Sequence, residues 1–263
     1  MRRLFLLCLI TVTTLNSNKG LSEDKPEFKK YFDAFGVKGS LVIYDLKNCK
    51  YGRHNPGRCK QRFTPASTFK IPNSLIGLET GVIKDENFII KWDGVKREIP
   101  EWNQDHNLRS AFKYSVVPYY QELARRVGTE KMRYYVMKMH YGNEDISGGI
   151  DQFWLQGGLR ISQEEQIEFL RKLYLNKLPF SEHSIAIVKN IMLREETAGS
   201  KLRAKTGWGR QDSLDIGWFV GYVERSDNVY FFATNIESRQ PSDKFGQARI
   251  EITKKILEQL SLR

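Results

Sequence analysis

"PASTFKIPNSLIGLETG", residues Pro65 to Gly81, places a serine three positions before a lysine at the start of a mostly apolar segment. The pattern S-x-x-K is expected by chance about once in a chain of this length, and it also occurs at Ser22 and Ser110. Only the copy at Ser67 has the proline and the later glycine that are typical of a helix start and end. Residues three apart lie on one helical face. The stretch therefore predicts that Lys70 reaches the hydroxyl of Ser67.

The predicted position of Ser67 suits a nucleophile. At a helix N-terminus its backbone N–H can bind a developing oxyanion, and the helix dipole favours the negative charge. Lys70 cannot act as a base while it is an ordinary ammonium, because its reference pKa is about 10.4. It must be desolvated or chemically altered before it accepts a proton from the serine. The flanking Phe69 and Ile71 indicate an apolar setting.

The length and composition bound the domain organisation. The chain has 263 residues, 40% of them hydrophobic, which is ample for one large domain. Met1–Leu15 contains two arginines and then an apolar run that is too short to span a bilayer and is typical of a signal peptide. We therefore predict a leader over residues 1–19, whose cleavage site stays open, and a single domain over residues 20–263. The protein is then exported, periplasmic or secreted, without a stable membrane anchor.

Cysteines and charge narrow the function classes further. Cys49 and Cys59 remain after processing, and an oxidising compartment permits a disulfide between them, which the sequence leaves open. The formal net charge is +11, but Lys and Arg are scattered among Asp and Glu, so we predict no nucleic-acid partner. The four histidines lack metal-binding spacing and there is no G-x-S-x-G motif, which argues against a metal site and a Ser-His-Asp esterase.

Strand patterns lie near both ends of the chain and helical patterns fill the middle. The predicted strands are Ser40–Tyr44, Lys201–Thr206, Ile216–Val223 and Val229–Ile236. The predicted helices are Pro118–Val127, Thr129–Met139, one that starts with the capping box Ser162-Gln163-Glu164-Glu165 and ends near Leu175, and a last one after Ser242. This arrangement predicts α and β subregions that share one cleft.

Three short motifs follow the opening stretch: Ser115-Val116-Val117, Tyr141-Gly142-Asn143 and Lys205-Thr206-Gly207. Each is weak alone, but S-x-x-K followed by K-T-G is the order found in serine β-lactamases and penicillin-binding proteins. Together with Phe153-Trp154-Leu155, the set resembles the class D β-lactamases, or oxacillinases, over nearly the whole mature chain. The resemblance implies an α/β fold of the α+β type, with a central antiparallel sheet flanked by terminal helices and a mostly helical subregion.

The resemblance also implies a reaction, hydrolysis of the β-lactam ring of penicillin-type antibiotics, and with it antibiotic resistance. Ser67 is expected to be acylated by the opened lactam. Lys70 is expected to be carboxylated by carbon dioxide into a carbamate that serves as general base for acylation and deacylation. Trp154 is expected to donate its indole N–H to that carbamate. Carbon dioxide or bicarbonate is then needed, with no other cofactor and no metal.

The remaining roles that the resemblance implies fall on the later motifs and the last helix. They are an apolar pocket around the lysine formed by Val117, Phe69 and Leu155; a proton shuttle to the lactam nitrogen at Ser115; a positive charge beside that nitrogen at Lys205; binding of the substrate carboxylate by Thr206 and Arg249; space for the substrate at Gly207; and a second backbone oxyanion donor at Trp208.

Two other classes share the acylated serine. A β-lactam-sensing receptor domain or a penicillin-binding D,D-peptidase would be acylated at Ser67 without turnover. The receptor carries several membrane helices, whereas this chain has one leader-like segment, and the peptidase usually has S-x-N where this chain has Ser115-Val116-Val117. The sequence leaves the range of β-lactams open, as it does the choice between a monomer and a homodimer.

Overall fold

The C-terminal third of the chain contains long runs of apolar and β-branched residues, which suit strands that are covered on both faces. In the computed structural model, which describes residues 24–262, residues 216–223 are all buried within one strand. The strands are β1 (Lys38–Asp45), β2 (Lys50–His54), β3 (Ile89–Ile90), β4 (His106–Asn107), β5 (Leu193–Glu196), β6 (Ser200–Gln211), β7 (Leu214–Arg225) and β8 (Val229–Ser238). Six of them form one antiparallel sheet in the order β2-β1-β8-β7-β6-β5.

Helices cover both faces of this sheet. They are α1 (Lys29–Asp33), α2 (Pro56–Cys59), α3 (Lys70–Glu79), α4 (Leu108–Lys113), α5 (Val117–Val127), α6 (Thr129–Met139), α7 (Gln163–Tyr174), α8 (Glu182–Ile191) and α9 (Phe245–Gln259). Short 3-10 turns are formed by Pro26–Phe28, Ala66–Phe69 and Pro100–Trp102.

The sheet separates two apolar clusters. On one face, Phe32 of α1 and Ile252 and Ile256 of α9 are buried together against the strands. On the other face, a larger cluster contains buried side chains of α3, α5 and α7, such as Leu75, Leu123 and Leu170. The terminal helices thus flank an antiparallel sheet whose opposite face carries the helical subregion, and this confirms the predicted α+β fold class.

The predicted elements are present, most of them longer than predicted. Each of the four predicted strands lies within an observed strand, and the capping box at the start of α7 is formed because the Ser162 hydroxyl accepts from the Glu165 N–H while the Glu165 carboxylate accepts from the Ser162 N–H. The sequence analysis did not predict the edge strands β2 and β5, the β3–β4 pair or the helices α1, α2, α4 and α8. The edge strands are short and rich in charged residues, so they lack the apolar alternation on which a sequence prediction depends.

The sequence left open whether Cys49 and Cys59 form a disulfide, and in the structure both are free thiols. Cys59 in α2 is fully buried, and its Sγ donates to the Leu41 carbonyl oxygen of β1 at 3.6 Å. Cys49 is exposed in the turn between β1 and β2, where its Sγ donates to the Leu46 carbonyl oxygen. The two thiols therefore lie in different environments, one in the core and one in solvent, and no disulfide joins them.

The predicted leader, residues 1–19, lies outside the described residues. Within residues 24–262, every helix is too short or too polar to cross a lipid bilayer.

Candidate active site

The opening stretch folds into a tight turn followed by a helix. Ser67 lies in the 3-10 turn that runs directly into α3, and its side chain is almost buried. The preceding Ala66 has a positive φ of 48°, which is costly for a residue with a Cβ. Its N–H donates to the Trp154 carbonyl oxygen at 3.0 Å, which holds this conformation. The nucleophile candidate is therefore set on a strained, fixed turn rather than on a mobile loop.

Lys70 is the first residue of α3 and is completely buried. Its Nζ donates to the Ser67 Oγ at 2.7 Å, as the three-residue spacing predicted. Burial lowers the pKa of the Lys70 ammonium from 10.5 to about 7, because the charged form loses its hydration. Near neutral pH a large fraction of the amine is therefore uncharged, and in that form it accepts a hydrogen bond from the serine hydroxyl instead.

Aromatic side chains surround this pair. The Phe69 ring stacks on the Trp154 ring with centroids 5.5 Å apart, and both side chains are fully buried. The Tyr120 ring lies 5.3 Å from the Lys70 Nζ. Trp154 Nε1 is buried and has no hydrogen-bond partner among the described residues. An unpaired buried donor costs free energy, so this N–H marks a place for an acceptor.

The Y-G-N motif supports the segment that carries Trp154. The Asn143 side chain donates to the Gly158 carbonyl oxygen at 2.9 Å and accepts from the Arg160 N–H at 2.8 Å. Gly142 has a φ of +60°, and a Cβ at this position would collide with the Arg160 carbonyl oxygen. The Y-G-N motif, predicted as a polar turn, therefore fixes the backbone of the loop that follows Trp154.

The second serine and the second lysine meet across the cleft. Lys205 Nζ in β6 donates to the Ser115 Oγ at 3.0 Å and to the Thr206 carbonyl oxygen at 3.0 Å. Lys205 is 1% exposed, and burial, together with the positive charges of Lys70 and two arginines, holds its pKa well below the usual value. Ser115 has a φ of +56°, a second strained position at this site. Val117, half-buried, begins α5 two residues later.

Strand β6 approaches the serine turn closely because it carries glycines. A Cβ at Gly207 would lie 3.0 Å from the Pro65 carbonyl oxygen, and one at Gly209 would lie 3.0 Å from the Ala66 Cβ. The backbone of Trp208 between them pairs with Gly217 of β7, which makes it part of the strand that borders the turn. The predicted role of Gly207, space for the substrate beside the strand, stays a prediction, because the atoms that a Cβ would meet belong to Pro65, Thr68 and Trp218 of the protein itself.

Arg249 lies in α9 and is 9% exposed. Its Nε and Nη1 are buried and have no hydrogen-bond partner among residues 24–262. Burial lowers the pKa of this guanidinium to about 10. A buried cation without a partner is unfavourable unless it binds an anion, so Arg249 can accept a carboxylate from a ligand.

Sequence reasoning did not identify Tyr120 and Asp215 as neighbours of the site. Tyr120 is one of two buried tyrosines in α5, and no local pattern distinguishes it from an ordinary core residue. Asp215 accepts from the Trp208 indole N–H at 2.7 Å. That contact depends on the register between β6 and β7, which the sequence does not specify.

The part of the chain that the structure describes contains no cluster of three or more His, Cys, Asp or Glu residues suited to a metal ion.

Comparison with known proteins agrees with this geometry. The model of the penicillin-binding protein transpeptidase domain matches residues 22–258. The chain is 47% identical over 262 residues to β-lactamase OXA-48 of Klebsiella pneumoniae, with 98% of each chain covered. Solved structures that resemble it include a class D β-lactamase from Sebaldella termitidis ATCC 33386, with a TM-score of 0.88, 42% identity, and 93% of this chain and 100% of that chain covered.

A class D β-lactamase YbXI from Nostoc has a TM-score of 0.87 and 48% identity, with 90% of this chain and 99% of that chain covered. Identity at this level over almost the whole length exceeds what a shared fold alone produces. The chain belongs to the penicillin-binding-protein transpeptidase family and, within it, to the class D β-lactamases.

Proposed function

We propose that this protein hydrolyses β-lactams through an acyl-enzyme on Ser67 and thereby confers antibiotic resistance. The observation that carries the proposal is the contact between the Ser67 Oγ and the Lys70 Nζ at 2.7 Å, with the lysine fully buried and its pKa lowered to about 7. A serine becomes a nucleophile when a neighbouring base removes its proton. A buried, neutral lysine supplies that base, whereas an exposed ammonium does not.

In acylation the Ser67 Oγ forms a bond to the lactam carbonyl carbon and its proton leaves toward Lys70. The ring C–N bond breaks, and the Ser115 hydroxyl, whose Oγ accepts from the Lys205 Nζ at 3.0 Å, donates a proton to the nitrogen and regains one from the protonated base at Lys70. The backbone N–H groups of Ser67 and Trp208 bind the oxyanion that develops on the carbonyl oxygen. Water then cleaves the ester, and this releases the opened product and the free serine.

The surroundings of Lys70 fit carboxylation by carbon dioxide. Carboxylation consumes a neutral amine, and burial provides one at neutral pH. The unpartnered Trp154 Nε1 lies in the same aromatic cluster and is suited to donate to an added oxygen. When carbon dioxide is bound, the lysine carries a carboxylate base that can serve both acylation and deacylation. The half-buried Val117 and Leu155 would limit access of water to this pocket.

The substrate's carboxylate is proposed to bind between Thr206 and Arg249. The unpartnered guanidinium nitrogens of Arg249 fit an anion, and a planar guanidinium pairs well with a carboxylate. Gly207 leaves the strand edge open for the rest of the substrate. This pairing would orient the lactam carbonyl toward Ser67, since the carboxylate is fixed relative to the ring.

We also propose that residues 1–19 direct export, that residues 20–263 form a single domain, and that the mature protein acts in the periplasm or outside the cell as a monomer or homodimer. Nucleic acid is not expected as a partner, because the basic residues are interspersed with acidic ones. Many of them form ion pairs, for example Arg53 with Glu164 and Arg203 with Glu224.

The test is steady-state hydrolysis of a chromogenic cephalosporin by the purified mature protein, with and without bicarbonate. We expect many turnovers per molecule and a rate that rises with bicarbonate. Ser67→Ala is the matched control and should show neither a burst nor turnover. A burst that ends near one product per protein would contradict the proposal and indicate a sensor or a D,D-peptidase that retains the acyl group.

A further inference from the structure

The side chain of Trp208 projects toward α9, away from the serine turn. Its ring contacts the Phe245 ring with centroids 5.1 Å apart, and a Cβ at Gly246 would lie 3.1 Å from it, so a glycine leaves room for the indole. Trp208 is 45% exposed, which makes it one of the large apolar residues that remain in contact with solvent. Packing alone therefore leaves one side of this ring free to move.

A carboxylate holds the indole from the neighbouring strand. Trp208 Nε1 donates to the Asp215 Oδ1 at 2.7 Å. Asp215 pairs with Arg210 in the register of β6 and β7, so it is a diagonal neighbour of Trp208 on the same face of the sheet. The Asp215 side chain is only 13% exposed, although it lies one residue from the hairpin end of β7. Arg210 is 3.9 Å from the other carboxylate oxygen and is itself 73% exposed, so it provides a weak constraint.

The indole in turn covers Arg249. The guanidinium carbon of Arg249 lies 5.7 Å from the Trp208 ring centroid, within the range of a cation–π contact. Within the described residues, no carboxylate forms an ion pair with Arg249, and its Nε and Nη1 have no hydrogen-bond partner. The hydrogen bond from the Thr253 hydroxyl to the Arg249 carbonyl oxygen fixes only the backbone. The orientation of the guanidinium therefore depends on the ring beside it.

We propose that Asp215 is a positioning residue for substrate binding: it holds the Trp208 indole against Arg249 and so presents the guanidinium to the carboxylate of the substrate. The inference rests on the proposed function, because the carboxylate is that of a β-lactam. Asp215 does not touch the substrate or the reacting atoms. Its loss should therefore weaken binding of substrates that carry this carboxylate and leave the chemistry at Ser67 unchanged.

The experiment compares kcat and KM for a chromogenic cephalosporin with a free carboxylate and for its methyl ester. In Asp215→Ala we expect KM for the free acid to rise about three- to tenfold, as for loss of one charge-assisted hydrogen bond at a partly exposed site. The kcat should stay close to wild type, and KM for the ester should not change. Asp215→Asn, whose amide oxygen can still accept from the indole, should restore most of the affinity for the acid.

Two further variants test the route through the indole. Asp212→Asn removes a carboxylate from the same hairpin, at an exposed residue with a φ of +50° that asparagine tolerates, and should behave as wild type. Trp208→Phe keeps a ring and the backbone N–H but has no indole donor. Adding Asp215→Ala to it should cause no further rise in KM.

An unchanged KM for the acid in Asp215→Ala overturns the inference. An equal rise in KM for the acid and the ester also overturns it, because it indicates general disruption of the site. If the effects of Trp208→Phe and Asp215→Ala on KM are additive in the double variant, Asp215 does not act through the indole, and the inference is wrong. The wild-type enzyme separates this failure from that of the proposed function. If it neither turns over nor becomes acylated by the free acid, the proposed function is wrong, and the inference falls with it.

Discussion

Replacing Lys70 by methionine should stabilise the protein at neutral pH while it abolishes turnover. Methionine has nearly the same length as the aliphatic stem of lysine and no group that requires hydration. Lys70 is fully buried, and among residues 24–262 its Nζ makes one hydrogen bond, to the Ser67 Oγ. The serine is 8% exposed and can use water as its partner in the variant. The change therefore removes a buried amine and creates no additional deeply buried polar group without a partner.

The magnitude follows from the lowered pKa. A fall from 10.5 to about 7 in the folded protein corresponds to about 5 kcal/mol of lost stability when the lysine is charged in the unfolded chain. The unfolded state binds the additional proton between these two values, so stability rises with pH across that window. The loss of unfolding free energy caused by burying the charged lysine is complete below about pH 7 and is absent above about pH 10.5. At about pH 9.5, roughly 1 to 2 kcal/mol should remain.

Urea unfolding of wild type and Lys70→Met in buffers free of carbon dioxide measures this difference. The variant should be more stable by several kcal/mol at pH 7, and the advantage should shrink steadily toward pH 10. Adding bicarbonate should stabilise only the wild type, because a ligand that binds the folded state alone shifts unfolding by mass action. A wild type that is at least as stable as the variant at pH 7, or a difference that does not change with pH, would refute the reasoning.

Three further predictions concern single side chains. Trp154→Phe keeps the stack on Phe69 but has no indole N–H, so deacylation should slow at least about tenfold and require more bicarbonate, as measured by pre-steady-state bursts; a wild-type deacylation rate would exclude this role. Arg249→Ala should reduce kcat/KM for carboxylate-bearing β-lactams about 10- to 100-fold, mainly through KM, with little effect on esters; an equal effect on both would contradict the assignment. Ser162→Ala should lower the free energy of unfolding by about 1 kcal/mol without a change in kcat, because it removes the N-cap of α7 and no side chain that contacts Ser67 or Lys70; an unchanged urea midpoint would contradict it.

Local relations were predictable from the sequence. The approach of Lys70 to Ser67 follows from a spacing of three residues, about one turn, along the 3-10 turn that continues into α3. The start of α7 follows from a capping box whose two hydrogen bonds lie within four residues. Strand β7 was predictable because its apolar run is long and is bounded by turn residues. In each case the information lies within one element.

Relations between distant segments were not predictable from spacing. Ser115 and Lys205 are 90 positions apart and meet through the packing of α5 and β6 against one cleft; only the order of the motifs, through a resemblance, brought them together. The free state of Cys59 depends on how α2 packs on β1. Asp215 was missed because its contact with the Trp208 indole requires the register of β6 and β7. Such features depend on tertiary structure, which local propensity does not encode.

Several unfavourable features of this structure lie together in one cleft. Ala66 and Ser115 have positive φ values, two lysines are buried, and Arg249 keeps unpaired guanidinium nitrogens. Each lowers stability by itself, and each is held in place by the antiparallel sheet and its two apolar clusters. The burial that destabilises Lys70 is also what provides a neutral amine at physiological pH, so the cost in stability and the proposed reactivity have one physical cause. Stabilising substitutions at these positions should therefore reduce activity, whereas those in the outer faces of α6 or α8 should not.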